Sequence, residues 1–203
     1  MIKVYLIRHG ETNWNCNRDL KYSKENHNVG LNEIGIKQVE KSLCFLQNKN
    51  IEYIYTSPLI RAVETATILS NNTIKMEIIE DLKEFSIYDD SVVGMTRAEI
   101  KAKIGEDKYI ERRDNKDALL DWRPLNTETK REARNRIFNA IQNICINTPY
   151  NTILIVSHGN ILKEFLRQLN YDDTKLKNCE IIEAIFDRTN KIIEITNRIK
   201  NEN

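Results

Sequence analysis

Two histidines in this chain each follow an apolar segment and precede a glycine. His9 follows the apolar segment 2–7, and His158 follows the apolar segment 152–156. The 203 residues hold only three histidines and six glycines, so two matching pairs are a strong signal. A glycine beside a histidine lets the backbone approach a ligand closely. The pattern therefore predicts that both histidines line one ligand site.

Two arginines and a glutamate stand in similar places along the chain. Arg8 directly precedes the first of these histidines, Arg61 lies one turn into the helix predicted after the second strand, and Glu84 follows the third predicted strand. Guanidinium groups match phosphate oxygens, a neutral imidazole can attack phosphorus, and a carboxylic acid can protonate a departing oxygen. These residue types together indicate phosphoryl transfer.

Signatures of several other enzymes are missing from the sequence. No cysteine is followed by an arginine six positions later, and the patterns GxxxxGK[ST], GxSxG and HExxH do not occur. The four cysteines have no metal-ligand spacing, and three histidines are few for a dinuclear metal centre. We therefore expect no metal site and no cofactor.

Apolar strands that alternate with helices predict the scaffold of this site. The predicted strands are 2–7, 53–56, 76–79 and 152–156, and the segment 181–197 is predicted to form an antiparallel hairpin. This order is typical of a three-layer α/β/α fold with a mainly parallel sheet. Ligands of such folds bind outside the carboxyl ends of the strands, where the histidines, arginines and glutamate are expected to meet.

Local signals predict where four helices begin. Two capping boxes predict helices after Thr96 and Thr129, because each threonine is followed three residues later by a glutamate. The other two predicted N-caps are Asn32 and Ser57, the latter with Pro58 as the first helical residue.

Length, charge and composition limit the class of protein. We expect one domain over 1–203, with an insertion at about 85–127 that lies over the active site as a cap-like segment. The 31 basic and 30 acidic residues nearly cancel, so neither nucleic acid nor a membrane surface is an expected partner. No apolar run approaches the roughly 20 residues that span a bilayer, and no signal segment is evident, which predicts a cytoplasmic protein. The oligomeric state stays open.

Residues 8–15, RHGETNWN, resemble the RHGET-x-W-N signature of the histidine phosphatase (phosphoglycerate mutase-like) superfamily. The likeness continues in the family's order over about residues 2–170. Its further segments are 31–38, 56–66, 81–84, 128–136 and 157–160.

The resemblance implies a role for each residue of the catalytic set. His9 would be the nucleophile that becomes phosphohistidine, and Glu84 would give a proton to the leaving group. Arg8, Arg61 and His158 would hold the phosphoryl oxygens. The family needs no metal for this step.

The resemblance also implies further phosphate contacts and shows two departures. Asn15 and the backbone at Gly159 and Asn160 would bind phosphate. The loops 16–30 and 85–94 differ from the family's usual glycine-rich patterns, and both are expected on the leaving-group side. They put the identity of the substrate in doubt.

Simpler interpretations of single residues stay open. The two histidines could be buried structural residues, and the arginines could form ion pairs with Glu11 or Glu64. Asp81, Asp89 and Asp90 are close in the sequence and compete with Glu84 for the role of the acid. Asn15 could be a turn residue, and His27 and Cys16 have no assigned role.

These observations predict a metal-independent, histidine acid phosphatase-type phosphoric monoester hydrolase. It would act on a small phosphorylated metabolite and release inorganic phosphate. One alternative is phosphoryl transfer of the phosphoglycerate mutase type, although the Arg-x-Tyr-Gly run and the insertions of the mutases are not evident. The other is a regulatory module that binds phosphate without turnover.

Overall fold

Six strands form one mixed sheet in the computed structural model, which describes residues 1–16, 29–84, 94–105 and 128–200. The strands lie in the order β3-β2-β4-β1-β5-β6. The first four in this order are parallel, and β5 and β6 are antiparallel to their neighbours. The prediction of a mainly parallel sheet with a C-terminal hairpin is confirmed. The strand bounds are β1 (Ile2–Arg8), β2 (Tyr53–Thr56), β3 (Met76–Ile78), β4 (Thr152–Ser157), β5 (Ile181–Asp187) and β6 (Ile192–Ile199).

Helices connect these strands. Besides a short 3-10 turn at Glu80–Leu82, the described residues contain α1 (Asn13–Cys16), α2 (Glu33–Leu46), α3 (Ile60–Ser70), α4 (Arg97–Ile104), α5 (Lys130–Asn147) and α6 (Gly159–Gln168).

The sheet is buried on both faces, which accounts for its continuous apolar strands. Side chains of a strand alternate between the two faces. Leu6 of β1 belongs to a core cluster with Ile137 of α5, whereas Ile7 belongs to a second cluster with Val39 of α2. Helices α5 and α6 therefore cover one face and α2 and α3 the other, as the three-layer prediction requires.

Three of the four predicted helix starts are confirmed, and one is wrong. Asn32 accepts a hydrogen bond from the Gly35 amide, and both predicted capping boxes are formed. Ser57 is not the N-cap of α3, which begins at Ile60 after Leu59. The Ser57 hydroxyl lies 2.6 Å from a ring nitrogen of a buried histidine, and it accepts a hydrogen bond from the Leu59 amide at 3.3 Å, before the first residue of the helix.

The predicted insertion falls largely outside the described residues. Residues 85–93 and 106–127 are not described, so the domain division and the position of a cap over the site stay predictions. Within the described part of the chain, no helix is long and apolar enough to cross a membrane.

Candidate active site

The pairing of β1 with β4 places two histidines side by side. Arg8 lies opposite Ser157 in this parallel register, so His9 and His158 are the next residues on neighbouring strands. The ring centroids are 5.1 Å apart, with the planes tilted by 59°. Both side chains are buried. Adjacent parallel strands thus bring together residues 149 positions apart in the chain.

Two hydrogen bonds determine which nitrogen of His9 carries the proton. His9 Nδ1 lies 2.6 Å from the Gly10 carbonyl oxygen, which can only accept, so Nδ1 is the protonated nitrogen. Arg61 Nε donates to His9 Nε2 at 3.2 Å, which requires a lone pair on Nε2. Both contacts select the same tautomer, and Nε2 is the atom able to attack an electrophile.

Burial keeps both histidine rings neutral at neutral pH. Burial lowers the pKa of His9 well below its usual value, the charges of Arg61 and Arg8 lower it further, and the hydrogen bond to Gly10 raises it in part. Burial likewise lowers the pKa of His158, with His9 and the same arginines adding to the effect. A neutral imidazole is the nucleophilic form.

His158 is held by a hydroxyl group from a neighbouring strand end. Its Nε2 lies 2.6 Å from the Ser57 hydroxyl oxygen, just after β2. Its Nδ1 is buried and has no hydrogen-bond partner among the described residues. The ring is therefore fixed by a hydrogen bond at Nε2, and Nδ1 can still form a hydrogen bond with a ligand.

The two predicted arginines reach the same rim. Arg61 is only 8% exposed. Arg8 Nη1 donates to the Leu176 carbonyl at 2.8 Å, whereas its buried Nε has no partner among the described residues. Burial lowers the pKa of both guanidinium groups, and the nearby Glu84 carboxylate raises it in part. Buried guanidinium groups of this kind favour an anionic ligand.

The carboxyl group of Glu84 lies beside the first residues of α6 and close to the two arginines. Its Oε2 accepts a hydrogen bond from the Asn160 backbone amide at 3.1 Å. Among the competing acidic residues, Asp81 is exposed, and Asp89 and Asp90 lie outside the described residues. The structure therefore brings Glu84 to the rim together with both histidines.

The three residues predicted as further phosphate contacts make different interactions. Asn15 Oδ1 accepts from the Thr12 amide at 3.2 Å, so the NH2 group is the part of Asn15 that can donate to an anion. The Asn160 amide donates to the Glu84 carboxylate. Gly159 lies against the Arg8 side chain. The phosphate contacts of all three residues stay predictions.

The glycine after each histidine makes room for protein atoms. A Cβ at Gly10 would lie 2.6 Å from the Gly35 carbonyl oxygen of α2, and a Cβ at Gly159 would lie 3.0 Å from Arg8 Nε. We expected these glycines to admit a ligand. Their close approach is instead to α2 in one case and to the arginine of the site in the other.

Asn178 also contacts the loop that carries His9, and sequence reasoning missed it. Its Nδ2 donates to the His9 carbonyl at 2.9 Å and lies 3.3 Å from Asn15 Oδ1. It comes from the irregular segment before β5, 169 residues after His9. No local pattern marks such a residue.

Thr65 supports the same loop from α3. Its buried hydroxyl accepts from the Gly10 amide at 3.2 Å and donates to the Arg61 carbonyl at 2.7 Å. The segment 56–66 that resembles the family includes this threonine, which was the available signal.

The structure assigns no role to His27 or to Cys16. His27 lies outside the described residues, and Cys16 is exposed. Within the described ranges, no group of three or more His, Cys, Asp or Glu side chains has an arrangement that could hold a metal ion.

Comparisons with known proteins match nearly the whole chain. An uncharacterized phosphatase, PhoE, of Bacillus subtilis is 27% identical over 91% of this chain and 86% of its own length. A probable phosphoglycerate mutase, GpmB, of Proteus mirabilis is 28% identical over 89% of this chain and 83% of its own. The relatives therefore carry both phosphatase and mutase names.

A solved structure with the same fold supports this match. Phosphoserine phosphatase of Entamoeba histolytica, in complex with 3-phosphoglyceric acid, superposes with a TM-score of 0.77 at 26% identity, over 98% of this chain and 96% of that one. The family model of the histidine phosphatase superfamily, branch 1, matches residues 4–198. With its paired histidines and arginines at the carboxyl ends of parallel strands, the chain belongs to the histidine phosphatase superfamily.

Proposed function

We propose that this protein hydrolyses the phosphoric monoester of a small metabolite through a phosphohistidine at His9. The observation that carries the proposal is the His9 ring itself. Its Nε2 keeps a lone pair because Nδ1 donates to the Gly10 carbonyl, and it is directed toward the buried Arg61. A nucleophilic nitrogen beside a cation that can neutralise phosphoryl oxygens suits attack on phosphorus.

In the first step the His9 Nε2 lone pair forms a bond to phosphorus. Glu84 is protonated in the substrate complex. The bond between phosphorus and the leaving oxygen breaks, its electron pair stays on that oxygen, and the oxygen takes the proton of the Glu84 carboxylic acid. Arg61 Nε–H can no longer donate to Nε2 once that lone pair is shared, so it turns to a phosphoryl oxygen. Arg8 and His158 hold the other oxygens.

In the second step water attacks the phosphohistidine. The Glu84 carboxylate accepts a proton from the water as the new bond between oxygen and phosphorus forms. The bond between nitrogen and phosphorus breaks, and its electron pair returns to His9 Nε2. Inorganic phosphate leaves, and the enzyme regains its starting protonation state.

The names of the relatives favour small phosphorylated metabolites as substrates. They also leave phosphoglycerate mutase activity as the alternative. The Entamoeba histolytica relative is a phosphoserine phosphatase in complex with 3-phosphoglyceric acid, and other relatives are named probable phosphoglycerate mutases. Phosphoserine and 3-phosphoglycerate are therefore the first substrates to test. A mutase would convert 3-phosphoglycerate to its isomer, whereas the proposed hydrolase releases inorganic phosphate.

The decisive variant is His9→Ala. We expect it to lower kcat for p-nitrophenyl phosphate by at least about a thousandfold, because no other described side chain offers the same nucleophile at this position. Wild-type protein quenched during turnover should carry acid-labile phosphate, and the variant should carry none. Circular dichroism of the variant checks that it is folded, and the wild type is assayed with and without EDTA to test the expected metal independence.

Three results would contradict the proposal. Wild-type rates in His9→Ala would exclude the nucleophile. Isomerisation of 3-phosphoglycerate without release of phosphate would favour the mutase. Phosphate binding by wild-type protein without turnover of p-nitrophenyl phosphate, phosphoserine or 3-phosphoglycerate would favour the regulatory module.

A further inference from the structure

Arg136 of α5 forms hydrogen bonds with the backbone of the segment 81–83, which directly precedes the proposed acid Glu84. Its Nη1 donates to two backbone carbonyls of that segment, those of Asp81 at 2.5 Å and Lys83 at 3.1 Å. Its Nε and Nη2 donate to the two carboxylate oxygens of Glu128, each at 2.7 Å. Four of the five N–H donors of a guanidinium group are thus engaged in one arrangement.

The carbonyl between these two is held from the other side. The Ser157 hydroxyl at the end of β4 donates to the Leu82 carbonyl at 2.7 Å, and the Leu82 side chain is fully buried. Three successive carbonyls, at residues 81, 82 and 83, therefore accept hydrogen bonds from side chains of α5 and β4. Glu84 is the next residue.

The position of Glu84 follows from this anchoring. Because its backbone is fixed by the preceding carbonyls, its carboxylate reaches the start of α6 and accepts from the Asn160 amide. Glu128 fixes the planar Arg136 fork in a bidentate pair, and both side chains are largely buried, at 15% and 21% exposure. A bidentate pair of this kind holds an arginine more precisely than a single contact.

We propose that Arg136, braced by Glu128, is a positioning residue that sets the distance from the Glu84 carboxyl group to the leaving oxygen. This inference rests on the proposed function, in which Glu84 is the acid. Arg136 acts through the backbone of residues 81–83. Its loss should therefore impair proton donation and spare the attack by His9.

Dependence on the leaving group separates this role from a merely structural one. A phenolate with a strongly electron-withdrawing group leaves without a proton, whereas a poorer leaving group needs the acid. A misplaced acid thus slows the hydrolysis of phenyl phosphate more than the hydrolysis of p-nitrophenyl phosphate. A general loss of folded protein slows both substrates equally.

The test compares kcat/KM for these two substrates in Arg136→Gln and Arg136→Lys. We expect Arg136→Gln to lower the value for phenyl phosphate at least about tenfold more than that for p-nitrophenyl phosphate, because a shift of about 1 Å can cost about a hundredfold. Lysine lacks the planar fork and should rescue only part of the loss. Glu128→Gln should change the ratio in the same direction by a smaller factor, and it serves as the test if the Arg136 variants do not fold.

Arg134→Gln is the matched control. Arg134 lies on the same helix and pairs with Glu164 at 2.9 Å, on the α6 side. Its substitution should leave the ratio of the two substrates unchanged. The same change of ratio in Arg134→Gln would overturn the inference.

Glu84→Gln separates failure of this inference from failure of the proposed function. If Glu84→Gln changes the ratio and the Arg136 and Glu128 variants do not, Arg136 does not position the acid, and the proposed mechanism stands. If Glu84→Gln leaves the ratio unchanged, the acid is another group, and both the assignment of Glu84 and this inference are overturned.

Discussion

At the scale of single residues, the choice of reactive nitrogen depends on neighbours that contribute no chemistry of their own. The Gly10 carbonyl fixes the proton on His9 Nδ1, and the Thr65 hydroxyl links the Gly10 amide to the Arg61 carbonyl. Asn178 holds the carbonyl of His9 itself. His9 is thus held through its backbone on one side and its ring on the other, and in the proposed mechanism such preorganisation lowers the cost of reaching the transition state.

Asn178→Ala tests this backbone support. The variant removes a donor from the His9 carbonyl and from Asn15 Oδ1. A hydrogen bond contributes about 0.5–1.5 kcal/mol, so the two contacts together contribute about 1–3 kcal/mol, and kcat/KM for p-nitrophenyl phosphate should fall about 5- to 150-fold.

Asn197→Ala is the control for the Asn178 variant. The exposed Asn197 side chain donates from its amide to the Glu183 carboxylate on the neighbouring strand of the hairpin, at 3.1 Å. The Asn197→Ala variant should retain the kcat/KM of the wild type for p-nitrophenyl phosphate. Unchanged kcat/KM in Asn178→Ala would show that the His9 loop holds its geometry without this residue.

At the scale of elements, the ends of β1 and β4 and the start of α6 form one unit. Their register sets the histidines side by side, and α6 begins directly after His158. Because Gly159 has no side chain, the first turn of α6 can lie against the Arg8 guanidinium. The approach of a helix to an arginine is thus part of the construction of the site.

Gly159→Ala should weaken anion binding while the helix stays intact. The added Cβ would lie 3.0 Å from Arg8 Nε, and the bond from Arg8 Nη1 to the Leu176 carbonyl restrains the arginine from yielding. We expect the inhibition constant of inorganic phosphate to rise about tenfold, measured by competition with p-nitrophenyl phosphate. The melting temperature should not fall, because alanine favours a helix more than glycine does.

A double-variant cycle with Arg8→Ala checks the cause of that effect. In the Arg8→Ala background, Gly159→Ala should change phosphate inhibition little, because the clash has been removed. An equal effect in both backgrounds would mean that the added methyl group acts on something other than Arg8.

At the scale of the whole molecule, the site makes folding depend on pH. The pKa of both buried histidines is lowered in the folded protein, first by burial and then by neighbouring charges. The unfolded chain takes up these protons near pH 6.5, whereas the folded protein resists them. The contribution of the two histidines to stability is therefore fully present above about pH 6.5. It is lost as the pH drops from there toward their pKa values in the folded protein.

Urea unfolding between pH 7 and about pH 5 measures this dependence. The free energy of unfolding should fall on acidification with a slope of at most about 1.4 kcal/mol per pH unit for each histidine, so at most about 2.8 for the pair. His9→Asn should remove about half of the slope. Carboxyl groups titrate mainly below this range, so an unchanged slope in His9→Asn would contradict the assignment to the buried rings.

The sequence by itself determined the strands, most helix starts and the residue types at the strand ends. These features depend on local periodicity and capping, as the confirmed caps at Asn32, Thr96 and Thr129 illustrate. The arrival of the paired histidines at one edge of the sheet also followed, because the carboxyl ends of parallel strands meet there.

Only the tertiary structure decided which atoms of these residues are available. Ser57 suited the N-cap of α3 on local grounds, yet its hydroxyl pairs with His158. Asn178 meets the His9 carbonyl across 169 residues, and Arg136 meets the Lys83 carbonyl across 53. Such contacts depend on strand register and on the packing of helices against the sheet, and neither leaves a local pattern. The structure therefore determined the tautomer of His9 and the anchoring of the segment that precedes Glu84.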